Sequence, residues 1–335
     1  MPSSRNQMSL ISITIFLLLL SSTLSAEKCH PDDKKTLFKI KKAFNNAYIF
    51  ASWTNDTDCC QWYMVKCDRV THRIYSLTVD KDDKVSGPIP DAVGDLPYLE
   101  ILRFIRLPKV IGPIPHAISK LKNLTNLWLS HNNLTGPIPD FFSQLPKLTW
   151  IDLSVNKLTG PIPPSLSSLH KLNLLILERN QLQGPIPESF GEFKNIPNFY
   201  LRLAKNQLSG PIPRSLGAIS FMGIDFSRNM FTGDASVIFG KNKEGLLWID
   251  ISRNKFSFDF TKVRFPKSLS NLLMSHNQIY GSLPPALGKL PMLQFFNVSY
   301  NRLCGNIPTG GQLQQFDQYS YAHNKCLCGS PLPPC

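Results

Sequence analysis

Four cations precede four asparagines at nearly constant spacing. Arg179, Lys205, Arg228 and Arg253 stand before Asn180, Asn206, Asn229 and Asn254, in steps of 26, 23 and 25 residues. On neighbouring strands about 4.7–4.9 Å apart, such side chains form a ladder of like charges that repel one another. An anionic partner relieves that repulsion, and arginine grips carboxylates through two parallel hydrogen bonds. The ladder therefore reads as an anion-binding column; the bland alternative is a solvated edge on a basic protein. A second set of side chains shares the period. Trp128, Trp150, Tyr200 and Trp248 fall where a strand would turn them outward, and outward tryptophan is typical of binding surfaces. Arg103, Asp152, Ile176, Arg202, Asp225 and Asp250 fall in the same outward columns. Asp225 and Asp250 occupy adjacent coils, so their carboxylates could approach the roughly 5–5.5 Å of a retaining glycosidase. Arg228 and Arg253 beside them would lower their pKa values, the wrong direction for a general acid. With no Ser/His/Asp set, metal cluster or phosphate loop, the expectation is a binding protein without cofactor or metal, not an enzyme.

What must position these residues is a repeat. Asn132, Asn156, Asn180, Asn206, Asn229, Asn254, Asn277 and Asn301 each end a run of the form Leu-x-Leu-x-x-Asn-x-Leu-x-Gly. Its clearest copy is Leu127-Trp128-Leu129-Ser130-His131-Asn132-Asn133-Leu134-Thr135-Gly136-Pro137-Ile138-Pro139. Leu127 and Leu129, two apart, face inward on a strand. The Asn amide both donates and accepts, and serves backbone groups where the chain leaves the strand. Gly136 suits the tight backbone that follows, and Pro137 and Pro139 favour an extended segment. Two earlier, degenerate copies surround Gly87 and Gly112. The reading is an α/β repeat solenoid, a right-handed superhelix with a parallel sheet on its concave face and ten repeats. Gly233-Asp234-Ala235-Ser236 and Phe258 break the pattern, so the convex side should be irregular there.

The domains expected are a secretory signal peptide over residues 1–26, an N-terminal cysteine-rich cap over 27–70, repeats over 71–308 and a C-terminal cysteine-rich cap over 309–335. The signal consists of Arg5, the apolar run 10–20 and a small-residue end near Ala26. All eight cysteines lie near the ends, as caps on open coil edges require, and suit an oxidising compartment. The expected pairs are Cys29–Cys59, Cys60–Cys67, Cys304–Cys326 and Cys328–Cys335; their spacing and compartment speak against zinc. The net charge of +13 points to an anionic partner or matrix, or to solubility alone. Nothing indicates nucleic-acid binding or a membrane span. Sequons at Asn55, Asn123, Asn133 and Asn297 are candidate glycosylation sites.

The Leu-x-Gly-x-Ile-Pro repeat resembles the plant extracellular subtype of the leucine-rich repeat. Asp58-Cys59-Cys60-Gln61-Trp62 resembles the end of its N-terminal cap. Gly233-Asp234-Ala235-Ser236-Val237-Ile238-Phe239-Gly240 and Asn324-Lys325-Cys326-Leu327-Cys328-Gly329 resemble polygalacturonase-inhibiting proteins. That resemblance implies a secreted, monomeric defence protein of the plant cell wall. Such a protein binds fungal endo-polygalacturonases through its concave face and slows pectin degradation. By its own chemistry the Arg179, Lys205, Arg228 and Arg253 column suits either an acidic enzyme surface or demethylated pectin, a polyanion of carboxylates. If Asn297 is glycosylated, contacts should centre on repeats three to eight. Two alternatives stay open: a peptide-binding receptor-like ectodomain, and an ice-binding relative using an outward column of Ser130, Ser154, Ser227, Ser252, Ser275 and Ser299.

Overall fold

The computed structural model describes residues 28–335; the expected signal peptide lies outside them. Eleven strands form the concave sheet. The first, Val65–Cys67, pairs antiparallel with Ile74–Asp80. Every later pairing in this sheet is parallel, ending at Phe295–Asn297. Register comes from one inward column. Leu127, Ile151, Leu175, Leu201, Ile224, Ile249, Leu272 and Phe296 sit opposite one another in turn and are all buried. A one-residue slip would turn that whole column to solvent, which is why the stack keeps register.

The asparagines hold each coil to the one before. The Asn132 amide donates to Leu129 O of its own coil at 2.9 Å and to Phe104 O of the preceding coil at 2.8 Å, while its oxygen accepts from Leu107 N at 2.9 Å. Asn156, Asn180 and their successors repeat this arrangement through Asn301. The ladder continues one rung beyond the eight asparagines of the motif. Asn324, 23 residues after Asn301, accepts from Leu303 N at 3.1 Å and donates to Val298 O and Tyr321 O. The C-terminal cap is thus built as a further coil.

The outer side differs from a helical layer. Pro31–Ala43, here called α1, is the α-helix of the N-terminal cap; the repeats carry short 3-10 turns of three to eight residues. The Gly-x-Ile-Pro segments pair into a second parallel sheet of eight strands, from Ser86–Gly87 to Lys255–Phe256. Gly136, at φ +80°, makes the turn within one such segment. The second sheet stops at coil eight and resumes as a separate three-stranded sheet, Tyr280–Gly281, Arg302–Asn306 and Cys326–Cys328. At the break, Phe239, Phe258, Phe260 and Phe265 pack ring on ring with centroids 5.6–6.5 Å apart. This aromatic cluster stands in two coils whose sequence lacks Ile-Pro.

Both ends are closed by disulfides, Cys29–Cys59 and Cys60–Cys67 at one end, Cys304–Cys326 and Cys328–Cys335 at the other. The four N-terminal sulfurs lie within 4.8 Å of one another, but as disulfides they offer no thiolate to a metal. Buried Asp33 of α1 pairs with Arg73 at 2.7 Å and accepts from Ile74 N at 2.9 Å, tying the cap to the first coil.

Candidate functional site

The outward positions stack in two straight columns. Arg103, Trp128, Asp152, Ile176, Arg202, Asp225 and Asp250 are register partners in succession, as are Asn126, Trp150, Leu174, Tyr200, Gly223 and Trp248. In the upstream half the long side chains lie on one another. The Arg103 guanidinium sits 3.5 Å from the centroid of Trp128, and Trp128 stacks on Trp150 at 5.8 Å and 11°. Trp150 is 42 % exposed. Arg103 Nε and Trp128 Nε1 are buried in this pile without a hydrogen-bond partner. Further down, Arg202 pairs with Glu178 at 2.9 Å and lies 5.4 Å from the Trp248 centroid, its Nε likewise unpartnered. Among the described residues these three buried polar atoms lack a hydrogen-bond partner, and all lie on one face.

The downstream half corrects the sequence reading. Asp225 stands in the outward column but is buried, and its oxygen accepts from Ser227 N at 3.0 Å and Ser227 Oγ at 2.6 Å. Burial pushes its carboxyl up to about 6, with the neighbouring Asp250 adding to the rise. Asp250 is also raised, again by burial. The expected lowering by nearby arginines loses to desolvation. Asp152 holds Ser154 in the same way but stays half-buried. The serine column is corrected too: Ser130, Ser154, Ser227 and Ser299 are buried, and Ser252 and Ser275 only partly exposed. Gly223 is a site residue that the motif alone did not flag. A Cβ there would lie 2.7 Å from Tyr200 Cε1 and 3.3 Å from Trp248 Cε3, so its bareness lets both rings lean together.

The third column runs along the strand ends. Lys81, Arg106, His131, Val155, Arg179, Lys205, Arg228, Arg253, His276 and Tyr300 all have left-handed backbone, φ +54° to +58°. Each NH from Arg179 to Arg253 donates to a carbonyl of the next coil at 2.8–2.9 Å, so the four cations stack coil on coil. Arg179, Arg228 and Arg253 are exposed and Lys205 half-buried. Among the described residues none of the four forms an ion pair, whereas Arg106 is taken by Asp80. The column ends in rings: His276 stacks on Tyr300 at 4.2 Å, and Tyr300 on His323 at 4.2 Å. Burial, then Arg253 and Arg228, hold the His276 imidazole below its usual pKa. Of the sequons, Asn55 is exposed in the N-terminal cap, and Asn123 and Asn133 donate to Pro97 O and Pro108 O. Asn297 occupies the outward column of the last strand and accepts from Ser299.

Known proteins share this architecture. The leucine rich repeat N-terminal domain model matches residues 30–68, and leucine rich repeat models match residues 122–182 and 268–290. Polygalacturonase inhibitor 2 of Arabidopsis thaliana is 58 % identical over 97 % of this chain and 99 % of its own length. The polygalacturonase inhibitor of Pyrus communis is 58 % identical over 95 % of this chain and 96 % of its own. The chain belongs to the polygalacturonase-inhibitor family. Those named relatives are inhibitors, not enzymes. The crystal structure of a plant ice-binding protein also superposes closely, with TM-score 0.90 and 50 % identity over 92 % of this chain and 99 % of that one. Among the described residues no helix is long and apolar enough to cross a membrane.

Proposed function

We propose that this member of the inhibitor family is an extracellular plant defence protein that binds fungal endo-polygalacturonases with its concave face and slows pectin breakdown. The observation that carries the reading is the identity to named inhibitors along nearly the whole chain, joined to a concave face of stacked aromatic and cationic side chains. In this reading Arg103, Trp128, Trp150, Asp152, Ile176, Tyr200, Arg202 and Trp248 meet the enzyme and obstruct its cleft. Asp225 and Asp250 support that face from beneath or accept a cation from the enzyme. Arg179, Lys205, Arg228 and Arg253 hold demethylated pectin and keep the protein in the cell wall as a monomer. A glycan at Asn297 confines the contact to repeats three to eight.

The test is the purified secreted protein against a panel of fungal endo-polygalacturonases, following release of reducing ends. Inhibition of at least one is expected. Inhibition of none, or release of reducing ends from polygalacturonate by the protein alone, would sink the reading. The likeness to a plant ice-binding protein keeps ice binding as the second reading; the serine column expected to serve it is mostly buried, at Ser130, Ser154, Ser227 and Ser299. Absence of thermal hysteresis is the matching expectation.

A further inference from the structure

Two cavities open where the outer sheet is interrupted, and Arg264 lines both. The first, 580 Å³, mixes signs: Asp234 and Asp259 face Lys262, which pairs with Asp259 at 3.8 Å. The second, 560 Å³, is one-sided. Lys241, Arg264, Lys267 and Lys289 surround it against Glu244 alone, over Phe265 and Leu290. All four cations are exposed, and among the described residues none forms an ion pair. They come from three successive coils, Lys241 from the seventh, Arg264 and Lys267 from the eighth and Lys289 from the ninth. Positive charge therefore runs along the solenoid axis.

The size falls within the range of about 300–1,000 Å³ usual for small-ligand sites. A bare inorganic anion would satisfy the cations and leave Phe265, Leu290 and Ala286 without a contact. A sugar acid offers both, a carboxylate for the rim and C–H faces for the floor. An acidic peptide is drawn by the same cations but has no flat C–H face for the floor, and the one hydroxyl that lines the cavity, Ser268 Oγ, donates to Leu246 O at 2.9 Å and keeps its lone pairs for a sugar hydroxyl.

We propose that this cavity binds a short oligouronide laid along the solenoid axis, as a site separate from the cation column at the strand ends. The inference deepens the reading above, because it rests on the protein meeting polygalacturonate. Two separate polyanion sites would let one molecule bridge two polymer chains.

The test is calorimetric titration of the full secreted protein with trigalacturonate at low salt, with enzyme inhibition measured in parallel. Arg264→Glu with Lys267→Glu should weaken binding by about tenfold or more, the loss of a charged hydrogen bond, and leave inhibition unchanged. Arg228→Glu with Arg253→Glu removes the share of the strand-end column; in that background binding at this cavity should persist, and the loss caused by Arg264→Glu with Lys267→Glu should remain. Lys289→Gln, a milder change that serves if the double reversal disturbs folding, should weaken binding in the same direction. Wild-type protein that does not bind trigalacturonate, or Arg264→Glu, Lys267→Glu protein that folds and binds as before, would overturn the proposal. So would tighter binding of a poly-glutamate peptide, which would make the site a peptide groove. Binding at this cavity by a protein that inhibits no enzyme would instead overturn the inhibitor reading and leave the site standing.

Discussion

The same strand slot is treated in opposite ways in the two halves of the concave face. Upstream, Arg103 covers Trp128 and Trp128 covers Trp150, so charge and rings stand at the surface. Downstream, the slot holds Asp225, which is buried and raised to about 6. The difference traces to the neighbouring column. Upstream it holds Asn126 and Trp150; downstream it holds Gly223, whose missing side chain lets Tyr200 and Trp248 close over the sheet. A solenoid slot fixes direction, and the side chains one column over decide whether that direction reaches water.

The largest effect should come from the exposed pile. Trp128→Ala removes the ring that both Arg103 and Trp150 lean on, and a central interface tryptophan is worth about 2–4 kcal/mol. Affinity for an inhibited endo-polygalacturonase, measured by surface plasmon resonance, should fall accordingly with little change in unfolding. A collapse in stability instead would mean that the pile is part of the core. Next comes Gly223→Val, which forces a side chain under Tyr200 and Trp248 and costs about 1–3 kcal/mol of stability by overpacking. Asn126→Val, the same slot upstream, should cost clearly less in urea unfolding. Equal costs would remove the distinction between the halves.

Asp225→Asn acts on the buried half alone. The folded carboxyl sits at about 6 against an ordinary 3.8. Stability from holding the proton is fully present below about pH 4 and is lost as pH rises through about 6. Asparagine removes that penalty and keeps the bonds, as Asn297 does with Ser299 in the last coil. Asp225→Asn should therefore gain about 1–2 kcal/mol at pH 7.5, fading below pH 4, in thermal unfolding followed against pH. A gain that does not change with pH would mean the carboxylate is not paying for burial.

The regular parts of this molecule were readable because their causes are periodic. The Asn spacing and the inward leucines state the coil, and Asn324 extended the ladder at the same spacing, though outside the Leu-x-Gly motif that marked the others. The burial of Asp225 was not readable, because Asp is acceptable in an outward slot and its cover comes from residues one coil away on either side. Nor was the left-handed corner, since Arg, Lys and Val give no sign of positive φ. That corner is common to both halves and offers a control. Val155, β-branched at φ +54°, is strained there, and Val155→Asn should raise stability by about 1 kcal/mol without touching either column.

The smallest effect separates distance from charge. Arg202 lies 5.4 Å from the Trp248 centroid, and Arg103 lies 3.5 Å from that of Trp128. Lysine keeps the charge in both places but loses the planar fork. At Arg202 the loss is one distant ring contact, about 0.5–1 kcal/mol, since a lysine ammonium keeps the charge that faces Glu178, and at both positions a buried, unpartnered Nε disappears. Arg202→Lys should thus leave unfolding nearly unchanged, while Arg103→Lys, where the plane lies flat on the ring, should cost measurably more. Paired urea titrations decide it. Equal losses would mean that the cation alone holds the rings, and that the stacking which sets the upstream half apart is incidental.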